Sequence, residues 1–143
     1  MSVKQLSIFL ENKGGRLADV TKVLGENSVD ISALSIADTT DFGILRMIVS
    51  DPVKAESALK DAGYAVSITE VLAIAIDDDP GSLSKVLQSL VAQGIEVEYI
   101  YAFIGKNDKI ALVVVKVQDM SKAAEVLKEA DVDILNDEEV YKL

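Results

Sequence analysis

Slid 66 residues along itself, the sequence lands on its own pattern. Leu17 falls on Leu83, Val20 on Val86, Leu24 on Leu90, Val29 on Ile95 and Ile31 on Val97. Past one hairpin that differs by two residues, an offset of 68 carries Asp51 onto Asp119, Lys54 onto Lys122, Leu59 onto Leu127 and Ala62 onto Ala130. Solenoids use shorter periods and more copies, so this offset describes two copies of one small domain. A chain of 143 residues has room for little else. The domains are expected at 1–70 and 71–143.

Each copy opens on an apolar strand, Leu6-Ser7-Ile8-Phe9-Leu10 or Leu72-Ala73-Ile74-Ala75-Ile76. A turn with glycine follows, Glu11-Asn12-Lys13-Gly14-Gly15-Arg16-Leu17 in the first and Asp77-Asp78-Asp79-Pro80-Gly81-Ser82-Leu83 in the second. An amphipathic helix then begins, striped by Leu17, Val20 and Leu24 or by Leu83, Val86, Leu87 and Leu90. In the first copy 30–37 and 43–50 read as a strand hairpin across Asp38-Thr39-Thr40-Asp41. Asp51 is a good N-cap with Pro52 at the first helical position. Val53, Ala55, Ala58, Leu59 and Ala62 are expected on the buried face, Gly63 ends the helix, and a strand starts at Ala65. The second copy repeats this order through the turn Gly105-Lys106-Asn107-Asp108, with a last strand near 132–135. The order βαββαβ predicts an α+β fold in which each copy forms a four-stranded antiparallel sheet with two helices on one face.

Composition removes several chemistries. There is no cysteine and no histidine, so disulfides, thiolate nucleophiles and the usual general base are excluded, with every Ser-His or Cys-His arrangement. No run of eighteen apolar residues suggests a membrane span, and the chain is expected to be soluble and cytoplasmic. A net charge of −10 repels nucleic acid and anionic membranes, so neither is expected as a partner. No metal, cofactor or catalytic residue is assigned. Asp77-Asp78-Asp79 could present oxygen ligands to a hard cation, but three successive turn residues seldom converge on one ion, and an N-cap in a solvated loop explains them. Lys13 and Lys106 lie in polar turns, unlike a Schiff-base lysine in an apolar pocket.

The turn after each opening strand is the candidate binding element. Glycine removes the Cβ from a sharp bend, and the first N–H groups of the next helix face outward at its positive end. That combination suits a small anion such as a carboxylate.

A βαββαβ unit whose first loop reads Asn-x-x-Gly-x-Leu resembles the ACT domain, an amino-acid-sensing regulatory module. The first loop with Asn27-Ser28-Val29-Asp30-Ile31 is similar to that family's signature. Asp78-Asp79-Pro80-Gly81-Ser82-Leu83 with Gln93-Gly94-Ile95-Glu96-Val97 looks like a second instance. The first half also looks like the start of the regulatory subunit of acetohydroxyacid synthase. The sequence departs from the family pattern twice: Gly14 stands where proline is usual, and Asp78 stands where asparagine is.

The resemblance implies two ferredoxin-like units, no enzymatic activity, and a free amino acid held between ACT units. The ligand-binding residues it implies are Asn12, Lys13, Gly14, Gly15, Arg16, Leu17, Val29 and Ile31, with Asp78, Asp79, Gly81, Ser82 and Leu83 in the second loop. Amides of Gly14 to Leu17 would grip the carboxylate, and Asn12 can donate or accept. The Asp77-Asp78-Asp79 cluster would attract an ammonium, favouring a basic or polar amino acid. A second reading is a trans-acting regulatory subunit that docks on a metabolic enzyme.

Tyr99, Tyr101 and Phe103 alternate along one strand and are expected on the helix-free face, where their first-copy counterparts are Ala33, Ser35 and Ala37. An aromatic patch on an open sheet is expected at an interface. A homodimer with apposed sheets is the preferred occupant, and packing against the chain's own other half is the alternative.

Overall fold

The computed structural model describes residues 2–11, 13–38, 41–105 and 109–143. The central pairs of both predicted hairpin turns, Thr39-Thr40 and Lys106-Asn107, lie outside them, as do Asn12 and Asp108. The βαββαβ pattern occurs twice. β1 (Val3–Glu11), α1 (Arg16–Glu26), β2 (Ile31–Asp38), β3 (Phe42–Val49), α2 (Pro52–Asp61) and β4 (Ala65–Asp77) come first. α3 (Ser82–Ala92), β5 (Val97–Ala102), β6 (Ile110–Val117), α4 (Met120–Glu129), β7 (Asp133–Ile134) and α5 (Asp137–Tyr141) complete the chain. Two units result. The N-terminal unit comprises Lys4–Thr69 with Tyr141–Leu143, and the C-terminal unit comprises Glu70–Val140 with Met1–Val3.

In the N-terminal unit the strand order is β2-β3-β1-β4, and in the C-terminal unit it is β5-β6-β4-β7. These are the same order, with β4 ending one unit and opening the other. The registers repeat as well: Leu6 faces Met47 across β1 and β3, and Leu72 faces Val115 across β4 and β6. Two separate strands were expected over this stretch, yet β4 runs unbroken for 13 residues. No glycine, proline or asparagine interrupts 65–77, so nothing in the backbone calls for a turn there.

Alternation sets one face of each sheet against its helices. Leu6, Ile8, Leu10, Leu45 and Met47 meet Val20 and Leu24 of α1 and Ala55 and Leu59 of α2. Leu72, Ile74, Val113 and Val115 meet Val86 and Leu90 of α3 and Ala123 and Leu127 of α4. On α2 the buried stripe is Pro52, Ala55 and Leu59. Val53 and Ala62, expected to face the core, are exposed: Val53 falls outside that stripe, and Ala62, in phase with it, lies past the last helical residue at the C-cap. Among the described residues, no helix is long and apolar enough to cross a membrane.

The four long helices start in two different ways. Asp51 caps α2, its Oδ1 accepting from the Lys54 amide at 3.1 Å, and Asp119 caps α4 through the Lys122 amide at 3.0 Å. α1 and α3 begin instead on Gly15 (φ 85°) and Gly81 (φ 90°), left-handed and with no side-chain cap.

Candidate functional site

The loop between β1 and α1 is built at the end of the sheet, where Glu11 pairs with Phe42. The Arg16 amide donates to the Lys13 carbonyl at 3.5 Å, and the Asp19 amide donates to the Gly15 carbonyl at 3.0 Å. A Cβ added at Gly14 or Gly15 would meet nothing within 4 Å, so the loop's convex side is open. Leu17, at the start of α1, is 39% exposed. Lys13, Gly14, Gly15, Arg16 and Leu17 are therefore brought together. Asn12 lies outside the described residues.

Val29 and Ile31 are placed elsewhere. β2 runs parallel to β1, and its last residue, Asp38, is the one that pairs with Gly43, next to the loop end of β1. Ile31 lies seven residues earlier along β2, roughly 23 Å away. Val29 is 5% exposed, its amide donating to the Leu24 carbonyl at 2.9 Å. The structure does not join either residue to the loop of its own unit.

In the C-terminal unit the Asp78 amide extends the sheet by donating to the Lys109 carbonyl at 2.9 Å, and the Ser82 amide donates to the Asp79 carbonyl at 3.1 Å. Asp78, Asp79 and Leu83 border a largely apolar hollow of about 370 Å³ floored by Ile76, Ile100 and Val113. Gly81 forms the bend, and Ser82 faces a different depression, with Asp77, Lys85, Asp131 and Asp133. The two loops are electrostatically unlike. Glu11, Lys13 and Arg16 sum to one positive charge, whereas Asp77, Asp78 and Asp79 sum to three negative ones. A carboxylate suits the first loop and an ammonium the second. Among the described residues, no group of three or more acidic side chains could hold a metal ion.

Sequence reading missed a side-chain cluster beside the first loop. Lys13 Nζ lies 2.9 Å from Glu11 Oε2, and an Arg16 guanidinium nitrogen lies 4.0 Å from the same oxygen. The Lys13 hydrogen bond and charge, with a smaller contribution from Arg16, hold the Glu11 carboxyl below its ordinary pKa. The Tyr64 hydroxyl donates to Asp19 Oδ2. Phe9 and Phe42 meet edge to face at 6.4 Å and are 57% and 50% exposed. Phe9 occupies the outward position between Ile8 and Leu10, and its repeat counterpart is Ala75, a contrast visible in the sequence.

The Asp19 hydrogen bond raises the pKa of Tyr64 above its ordinary value of 10.0, with burial and the Asp19 charge adding to it and Arg16 opposing. A raised value means that the contact stabilises the fold fully below pH 10 and is lost as pH climbs through the folded-state value. Tyr64→Phe should therefore delete, from an ultraviolet titration of the four tyrosines, a component centred above pH 10. A lost component centred at or below 10 would contradict the Asp19 contact.

The family model describing an ACT domain pair matches residues 1–143, the whole chain. The chain belongs to the ACT domain pair family. This ACT pair is similar to the solved structure of protein BT0572 from Bacteroides thetaiotaomicron, with 52% identity, a TM-score of 0.94, and coverage of 100% of this chain and 98% of that one. The ligand-free regulatory subunit of aspartate kinase from Thermus thermophilus shares the fold at 15% identity and a TM-score of 0.64, covering 89% and 91% of the two chains. Aspartokinase alpha and beta subunits align at 16% identity and a TM-score of 0.58, covering 88% and 91%. No curated protein matches significantly. ACT pairs are a regulatory kind of domain, and the two ferredoxin-like units read from the sequence are the ones present.

Tyr99 and Tyr101 stack at 6.4 Å, half-buried, while Ile100 between them packs on the helix-side core. Phe103 lies just past β5 and is 9% exposed.

Proposed function

We propose that this ACT pair is a non-catalytic regulatory protein that binds a free amino acid, the carboxylate taken by backbone amides of Gly14 to Leu17. The observation that carries this reading is the contrast in helix starts. α2 and α4 each give one first-turn amide to a capping aspartate, Asp51 or Asp119, while α1 and α3 begin on left-handed glycines with no side-chain cap. An uncapped helix start with open space over its glycines is a natural anion cradle. The net positive first loop favours a carboxylate there. At the second loop Asp78 and Asp79 oppose a carboxylate and draw an ammonium, so the helix start at Gly81, Ser82 and Leu83 is the weaker of the two cradles.

Val29 and Ile31 sit at the far end of the sheet from their own loop. In this reading they serve the loop of another copy, consistent with a homodimer that also uses the half-buried Tyr99 and Tyr101. A specific observation favours a second reading: the chain aligns with 91% of a regulatory subunit of aspartate kinase. A trans-acting subunit of that kind would copurify with one metabolic enzyme from its native host.

Thermal-shift screening against the twenty amino acids tests the main reading. A ligand at about 100 times its dissociation constant adds roughly 2.7 kcal/mol to the folded state, which raises Tm by roughly 5 °C or more in a chain this size. A uniformly flat panel contradicts amino-acid sensing.

A further inference from the structure

The cluster beside the first loop encloses a hollow of about 250 Å³, lined by Phe9, Glu11, Arg16, Phe42 and the turn Gly63 to Ala65. It lies wholly within the N-terminal unit and is distinct from the amides at the start of α1. We propose that it is a second binding site, one per chain, for a small aromatic or branched apolar carboxylate.

Three observations carry this. The first is the exposed aromatic floor. Phe9 and Phe42 leave half or more of their surface in solvent, already in edge-to-face geometry, so a third apolar group gains ring contact without rearrangement. The second is the state of the charges at the rim. Glu11 is taken up by Lys13 at 2.9 Å, while Arg16 reaches it only at 4.0 Å. Arg16 also hydrogen-bonds the Tyr64 hydroxyl, but a guanidinium has five donors in a planar fork, and these two contacts leave others for a carboxylate. Tyr64, donating to Asp19, closes the side of the hollow with its ring.

The third is the repeat itself. The corresponding depression of the C-terminal unit has Ala75 for Phe9, Asp77 for Glu11, Ser82 for Arg16, and Asp131, Val132 and Asp133 for the turn. Ile110 is the counterpart of Phe42. The same fold position thus carries aromatic rings, a guanidinium and one carboxylate in one copy, and three carboxylates with the single ammonium of Lys85 and no ring in the other. A carboxylate is accepted by the first and repelled by the second, which fixes the stoichiometry at one.

Titration calorimetry of the full chain with 3-phenylpropionate, phenylalanine, leucine and phenethylamine tests the site. Binding of 3-phenylpropionate at one per chain is expected, with none of phenethylamine, which has the ring and lacks the carboxylate. Phe9→Ala and Phe42→Ala should each weaken 3-phenylpropionate about tenfold, and Arg16→Gln at least about tenfold. Phe9 is exposed, so an unchanged Tm in Phe9→Ala will show that the fold survives. Phe9→Ala removes a ring from the hollow and leaves the Gly14 to Leu17 amides in place, so it should weaken 3-phenylpropionate while sparing any amino acid bound by the loop. No binding of the acid, preferential binding of the amine, or indifference to Phe9→Ala and Arg16→Gln would each overturn the proposal. Loop-dependent amino-acid binding with no 3-phenylpropionate binding would overturn this site alone and leave the amide cradle standing.

Discussion

Leu24→Ala should destabilise the N-terminal unit by about 3 kcal/mol, and Leu90→Ala should do the same to the C-terminal unit. Both leucines are fully buried at equivalent positions of the repeat, one turn after Val20 and Val86. Each belongs to the cluster between the first helix of its unit and the sheet. Truncation removes roughly three carbon atoms' worth of transfer energy and leaves a void that a sheet pinned by its ladder cannot collapse to fill. Val53→Ala, on the exposed side of α2, supplies the contrast and should change stability by less than about 0.5 kcal/mol. Urea unfolding followed by circular dichroism measures all three. A cost below about 1 kcal/mol for either leucine would mean that its helix does not pack on the sheet as described.

Gly15→Val should act on both stability and binding. At φ 85° an L side chain meets its own backbone, at a cost of about 1–2 kcal/mol, and a β-branched residue fits that region worst. Nothing lies within 4 Å of the added Cβ, so the penalty comes from the backbone and not from a clash. The chain can relieve it only by rotating the first turn of α1, which re-aims the amides of Arg16 and Leu17. The variant should unfold earlier and also lose the stabilisation given by whichever amino acid the screen selects, roughly 2.7 kcal/mol at 100-fold excess over the dissociation constant. Gly14, whose φ is not left-handed, provides the control. Gly14→Ala should keep both properties. A Gly15→Val chain with unchanged ligand response would separate the bend from recognition.

Much of the fold was legible because its causes are local. Period-two alternation in Leu6-Ser7-Ile8-Phe9-Leu10 fixes which face meets the helices, and Asp51-Pro52 marks a helix start by cap chemistry. Repetition then doubled each signal. The unbroken β4 was not read because two units share it, and element-by-element reading divides at the repeat boundary. α5 was missed because five residues are too few for periodicity. Its signal was a capping box: Asn136 Oδ1 accepts from the Glu139 amide at 2.8 Å, and Glu139 reaches back to the Asn136 amide.

The site was legible only where it is continuous in sequence. Lys13 to Leu17 form one loop, and five adjacent residues can be recognised together. The hollow joins Phe9, Arg16, Phe42 and Tyr64 from four segments, and only the sheet register brings Phe42 beside Glu11. Val29 and Ile31 show the converse, since nearness in sequence to α1 says nothing about which end of the sheet a parallel strand starts from.

The most direct measurement is amide chemical shift during titration of the isotopically labelled chain with the amino acid that gives the largest thermal shift. Saturable movement of the Gly14, Gly15, Arg16 and Leu17 amides, with the capped starts of α2 and α4 unmoved, is the expected result. A bound amino acid that leaves those four amides in place would contradict recognition by the open helix start.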